Sequence, residues 1–155
     1  MEIKKAEFDE SIVEIRCETE EEWLVERRKG IGSSEAPVLL GVSRWNSPYR
    51  IWLEKLGRLI APALMTEEME WGRILESTIA DTYEKRTGDT VIDPGDYTIY
   101  HRSDIPWIQA TPDRFIVEGN HLKILEIKTT RREEDWIDGP PLYVQIQLHH
   151  QFLAT

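Results

Sequence analysis

Glu126-Ile127-Lys128 sets a carboxylate and an ammonium two positions apart. In a strand, alternate side chains share a face, so Glu126 and Lys128 project together while Leu125 and Ile127 turn toward the core. Alone, the triplet also reads as the solvated face of a strand. Upstream stands Thr111-Pro112-Asp113, and between the two lies Glu118-Gly119-Asn120-His121, with the signature of a two-residue hairpin turn on Gly-Asn. That turn pairs Glu118 with His121, and counting back along the ladder sets Asp113 opposite Glu126. Like charges facing each other across a sheet destabilise it unless something neutralises them. A divalent cation is the natural neutraliser. Mg²⁺ takes oxygen ligands, keeps several waters, and is typically held by one or two carboxylates plus a substrate phosphate. The backbone carbonyl of Ile127 is a further candidate ligand, and Mn²⁺ a candidate substitute ion. Lys128, next along the face, could orient an attacking water or stabilise charge on a phosphate. A longer turn would shift the register and leave Asp113 as a strand cap.

A third carboxylate, Glu76, falls in a helical pattern between Gly72 and Ala80, one turn away on either side. Such small neighbours let another element approach; on its own, Glu76 also reads as a surface glutamate.

The pattern around these residues predicts the elements that hold them. Thr19-Glu-Glu-Glu resembles a capping box opening a helix to about Arg28. Gly30-Ile-Gly-Ser-Ser-Glu-Ala reads as a turn into a short helix ending near Gly41, and Ser47-Pro48 opens a helix stopped by Gly57. The longest helix is expected from Thr66 to Thr87 with Gly88 as its stop, and with Trp71, Ile74, Leu75, Ile79 and Tyr83 as a buried stripe. From Asp89 the period becomes two, and Val91–His101, Trp107–Val117 and Leu122–Thr129 read as strands. Residues 1–16 read as an edge strand or an arm, and Tyr143 onward as a helix. Trp45, Trp52, Trp71 and Trp107 are expected in the core, and His149 and His150 at the surface.

The chain has 155 residues, 40% apolar and 31% charged, as expected of one domain, 1–155. It stops at Thr155 inside a helical pattern, so truncation at the C-terminus is expected. No apolar run is long enough to span a bilayer. Cys17 is the one cysteine, which excludes an intramolecular disulfide and a Cys-rich zinc site and suggests a reducing cytoplasm. The net charge of −10 speaks against a uniformly DNA-binding surface, but basic residues cluster at Arg27-Arg28-Lys29 and Lys128–Arg132.

Taken in order, these segments resemble the YqaJ-type viral recombinase family, which includes phage lambda exonuclease and lies within the PD-(D/E)xK nuclease superfamily. The resemblance runs from about Glu22 to the end. It is carried by Trp23, Arg27 and Gly30-Ile-Gly-Ser-Ser-Glu-Ala; by Leu40-Gly-Val-Ser-Arg-Trp45 with Pro48-Tyr49; by Glu70-Trp-Gly-Arg-Ile-Leu-Glu76; by Ala110-Thr-Pro-Asp113; by Leu125-Glu-Ile-Lys128; and by Tyr143-Val-Gln145-Ile-Gln147. Two departures stand out: Arg114 follows Pro-Asp where the family usually has Gly, and Gly-Ser-Ser-Glu replaces Gly-Gly-Ser-Asp.

The resemblance implies an α/β fold with a mixed central sheet flanked by helices, the restriction-endonuclease-like architecture. It implies a Mg²⁺-dependent nuclease digesting one strand of linear duplex DNA from its 5′ end and leaving a 3′ overhang for a single-strand annealing protein. Asp113 and Glu126 would hold metal, Glu76 would bind a second ion or help indirectly, and Lys128 would serve the water. Arg27, Ser34, Thr111 and Gln145 match positions lining a 5′-phosphate pocket. Guanidinium, hydroxyl and amide groups suit that ligand. A ring-shaped homotrimer, the cytoplasm of a bacterial host and a phage or prophage source are also implied, with no membrane contact. Two rivals remain: a catalytically silent DNA-binding or assembly domain of the same fold, and a RecB-like nuclease of different polarity. An iron–sulfur version needs four cysteines and is excluded.

Overall fold

The structure, a computed structural model, describes residues 8–43, 45–59 and 66–155. In chain order its elements are β1 (Ile12–Arg16), α1 (Glu20–Arg27), β2 (Ile31–Gly32), α2 (Ala36–Leu39), α3 (Pro48–Lys55), α4 (Glu67–Thr87), β3 (Thr90–Ile92), β4 (Thr98–Arg102), β5 (Ile108–Gln109), β6 (Arg114–Glu118), β7 (His121–Leu125), a 3₁₀ turn (Glu133–Trp136) and α5 (Leu142–Ala154). This is a mixed α/β chain. Its described residues fall into two compact units, one drawn from Met1–Glu10, Ala63–Gly95 and Pro112–Thr129, the other from Ser11–Pro62, Asp96–Thr111 and Thr130–Thr155.

The first unit is α4 and a three-stranded antiparallel sheet in the order β3-β6-β7. Thr66 caps α4 by accepting from the Met69 N–H at 3.3 Å, and Gly88 ends it at φ +77°, where a glycine carries no Cβ penalty. Tyr83 donates to Asp89 Oδ2 at 3.0 Å, and Glu84 Oε1 accepts from the Val91 N–H at 3.0 Å. Both bonds tie the last turns of the helix to the start of β3. The expected buried stripe is not formed. Trp71 is 49% and Ile74 55% exposed, Leu75 is also exposed, and the buried helix residue is Ala80. Because β3 follows α4 directly, the sheet meets the C-terminal half of the helix and leaves the first turns uncovered. Phe115, packed edge-on against Phe8 at 5.1 Å, is the main buried apolar group of the sheet.

The second unit pairs β1 with β4 in antiparallel fashion and β2 with β5 in parallel, and a bridge between Tyr100 and Ala110 links the pairs. Its buried apolar set includes Val38, Ile51, Ile99, Tyr100, Ala110, Val144 and Ala154. Thr19 caps α1 through the Glu22 N–H, and Glu22 reaches back to the Glu18 N–H, so the capping box closes one residue early. Ser47 caps α3 through the Arg50 N–H.

Two of the expected strands are each cut in two, and the expected single central sheet is distributed over three small ones. Val91–His101 breaks at Asp93-Pro94-Gly95 into β3 and β4, and Trp107–Val117 breaks at Thr111-Pro112-Asp113 into β5 and β6. Proline has no N–H to give a ladder, so pairing stops on either side of it. The four tryptophans expected in the core are exposed: Trp45, Trp52, Trp71 and Trp107 each show about half or more of their surface. Trp45 rests edge-on against Tyr143, and Trp52 stacks on Tyr49. On the eight-residue α3 the buried position is Ile51, a footprint too narrow to take Trp52 as well.

Candidate functional site

The hairpin that carries the carboxylates has the register counted from its turn. Glu118 pairs with His121, and the ladder runs through Val117 with Leu122, Ile116 with Lys123 and Phe115 with Ile124 to Arg114 with Leu125. One further step sets Asp113 opposite Glu126. That step lies just past the ladder, because Pro112 ends strand pairing there. The Ile127 N–H donates to Asp113 Oδ2 at 2.7 Å and so fixes the aspartate carboxylate across the hairpin mouth. Lys128 Nζ lies 2.5 Å from Glu126 Oε1, with the glutamate side chain 4% exposed. The buried side chain at this end is thus Glu126 itself; Leu125 and Ile127 are only half-buried.

Burial pushes the Asp113 carboxyl up to about 7, and the Glu126 charge adds to the push. The Ile127 N–H and Lys128 pull the other way, and Glu76 adds a smaller upward push. Carboxylates drawn together against their own repulsion are a hard-oxygen donor set short of positive charge, and Mg²⁺ or Mn²⁺ fits that description. Among the described residues, no group of three or more His, Cys, Asp or Glu stands at metal-holding spacing. The fit is therefore to a pair of carboxylates completed by water, backbone oxygen and substrate. Glu76 does not close on that pair. Its Oε1 is bound by Arg114 Nη1 at 2.5 Å. Small residues do open the helix as expected: a Cβ on Gly72 would stand 3.5 Å from Thr129 Oγ1.

The four residues matched to a phosphate pocket lie in the second unit, and no hydrogen bond joins any of them to another. Arg27 ends α1, with its guanidinium 4.7 Å over the Trp23 ring and 3.5 Å from Glu35 Oε1. Ser34 is exposed in the turn after β2, and Thr111 is half-buried just beyond the Ala110 bridge. Gln145, exposed on α5, donates to the Pro140 carbonyl at 2.7 Å. Their supporting elements do converge. A Cβ on Gly32 would stand 3.1 Å from Arg27 Nη2. His150 of α5 reaches the carbonyls of Ile31 at 2.9 Å and Gln109 at 3.2 Å, which joins α5 to the β2–β5 pair. His150 is therefore not the surface residue that its neighbour His149 is.

Two further residues complete this region: Glu35, noted in the sequence only as the last residue of the Gly-Ser-Ser-Glu departure, and Lys55, which the sequence did not single out. Glu35 accepts from the Gly32 N–H at 2.8 Å and pairs with Lys55 at 2.7 Å. Lys55 also donates to the Arg27 carbonyl at 2.7 Å. Burial pushes the Lys55 ammonium below its ordinary value, against the pull of Glu35. A glutamate at the start of a helix and a lysine in the last turn of another read as routine dipole partners, so neither announced the pairing.

Residues 22–155 match the model of the YqaJ-like viral recombinase domain. The chain belongs to that family. It is also 36% identical over 134 residues to the uncharacterized protein YqaJ of Bacillus subtilis (strain 168), an alignment covering 84% of this chain and 40% of that protein. The chain thus spans about two-fifths of the length of that relative. Among the described residues, no helix is long and apolar enough to cross a membrane.

Proposed function

We propose that this chain carries the catalytic centre of a divalent-metal-dependent nuclease that digests one strand of linear duplex DNA from its 5′ end. The observation that carries the reading is the hairpin mouth, where Asp113 and Glu126 meet beside Lys128 with too little positive charge to settle them. Asp113 and Glu126 would hold Mg²⁺, with the Ile127 carbonyl as a further ligand. Bound there, the ion would polarise the scissile phosphate and make a water acidic enough to attack it. Lys128 would orient that water or meet charge developing on the phosphate. Ile127, through its N–H, holds the Asp113 carboxylate in place before any ligand arrives. In the second unit, Arg27, with Ser34, Thr111 and Gln145, would receive a 5′-terminal phosphate. The 3′ overhang would pass to a single-strand annealing protein, and a homotrimer would keep the enzyme on its strand.

The test is digestion of linear duplex DNA labelled separately at each end, carrying either 5′-phosphate or 5′-hydroxyl, in Mg²⁺, Mn²⁺ or EDTA. Early loss of the 5′ label, dependent on metal and absent in Glu126→Gln and Lys128→Ala, supports the reading. Loss of the 3′ label first would overturn the polarity. A folded protein that binds duplex ends yet never cuts them in either metal, even when extended past Thr155, would make this a silent DNA-binding domain.

A further inference from the structure

Arg114 stands next to Asp113 at the start of β6 and is among the buried charged residues, 9% exposed. Its guanidinium is shared among three acceptors. Nη1 donates to Glu76 Oε1 at 2.5 Å and to the Asp113 carbonyl at 2.5 Å, and Nη2 lies 3.2 Å from Asp93 Oδ2. One side chain thus joins the middle of α4, the loop after β3 and the backbone of the hairpin mouth. A planar guanidinium stays charged when buried, and its fork fixes the direction of each acceptor. Glu76 is correspondingly committed. It is directed to Arg114, and it does not join Asp113 and Glu126 in a three-carboxylate group among the described residues.

We infer that Arg114 is a positioning residue that keeps Glu76 out of the metal shell, so that the centre takes one divalent ion, held by Asp113 and Glu126. The inference rests on the metal-nuclease reading above. The charge on Arg114 fills, against Glu76, the place a second cation would otherwise take. The same contact to the Asp113 carbonyl holds the backbone from which that carboxylate projects.

The experiment is Mn²⁺ binding to the full chain without DNA. Ions are counted by paramagnetic resonance and affinities taken by calorimetry, for wild type, Asp113→Asn, Glu76→Gln, Arg114→Met and Arg114→Lys, each with a thermal melt. The expected wild type binds one Mn²⁺ and Asp113→Asn loses it. Glu76→Gln keeps one ion with affinity changed by less than about threefold, well under 1 kcal/mol. Arg114→Met, which releases Glu76, takes up a second ion, and Arg114→Lys returns the count to one. A merely structural arginine would lower the melting temperature without changing the count. The inference is overturned if Glu76→Gln weakens Mn²⁺ tenfold or more, or if folded Arg114→Met still binds a single ion. Should Arg114→Met fail to fold, the Glu76→Gln affinity decides. A wild type that binds no Mn²⁺ overturns the nuclease reading and this inference together, whereas one ion lost in both Asp113→Asn and Glu76→Gln overturns only the inference.

Discussion

The two units handle charge in opposite ways. At the hairpin mouth of the first unit, burial and neighbouring carboxylates outweigh the Ile127 N–H and Lys128, and the Asp113 carboxyl is pushed up to about 7. In the second unit one carboxylate, Glu35, gathers a lysine at 2.7 Å, an arginine at 3.5 Å and a backbone N–H. One region is short of positive charge; the other sets two cations around one carboxylate, and under the proposed function an incoming phosphate would compete with Glu35 for them. Net charge of the whole chain conveys neither fact. An acidic protein can contain a site for a polyanion if its carboxylates are spent on metal at one place and on restraining cations at another.

The contrast breaks most visibly at Asp113. Asp113→Asn or Lys128→Ala should lower cleavage of duplex DNA by at least about a thousandfold with the circular dichroism spectrum unchanged. In metal-free protein, Asp113→Asn should do the reverse for stability. The Asp113 pKa is raised on folding from 3.8 to about 7, so folding takes up a proton between those values and stability falls as pH rises through that window. Melting temperatures at pH 8 should therefore be higher for the variant than for wild type, with the two alike at pH 4; equal melts at pH 8 would mean Asp113 is not under strain.

A second test follows from the same proton. Metal must displace it, so apparent Mn²⁺ affinity should improve about tenfold per pH unit up to about 7 and level off above. Calorimetry in buffers of different ionisation enthalpy would read the released proton, and a flat profile from pH 5 to 8 would count against it. On the other side of the comparison, Glu35→Gln keeps an acceptor for the Gly32 N–H but leaves half-buried Lys55 without its charge partner. It should lower stability by about 1–3 kcal/mol and raise the preference for 5′-phosphorylated ends. Lower stability with a reduced preference would indicate that Glu35 organises Arg27 for phosphate instead of competing with it.

Glycines give the smallest contrast. A Cβ on Gly30 would stand 2.7 Å from the Trp107 carbonyl, whereas one on Gly72 meets Thr129 Oγ1 at 3.5 Å. Denaturant melts should show Gly30→Ala losing about 1–3 kcal/mol and Gly72→Ala gaining about 0.5–1 kcal/mol from helix propensity. Equal effects would show that the two backbones are packed alike.

The parts of this arrangement legible in the sequence were those fixed locally. Gly119-Asn120 dictates the hairpin and hence the Asp113–Glu126 step; Thr66 and Gly88 bound the long helix. Where proline interrupts an apolar alternation, at Pro94 and Pro112, the alternation continues on paper while the ladder does not. Burial failed for Trp71 and Ile74 because helical spacing reports which residues share a face, not how much sheet is there to cover it. Arg114 was visible only as a departure beside Pro-Asp; its partner Glu76 is 38 residues away and Asp93 lies past a separate turn. Contacts of that span leave no periodic trace.

The two-residue turn at Gly119-Asn120 also makes the hairpin a counting device. Its arms carry five paired positions between the turn and the carboxylates. Removing a single residue from either arm would turn one carboxylate to the opposite face of the sheet. Removing one from each arm would shorten the hairpin and still leave both carboxylates on a common face. Length changes in this segment should therefore survive as matched pairs, one per strand, while unmatched single-codon deletions in the arms eliminate function even though the hairpin still folds.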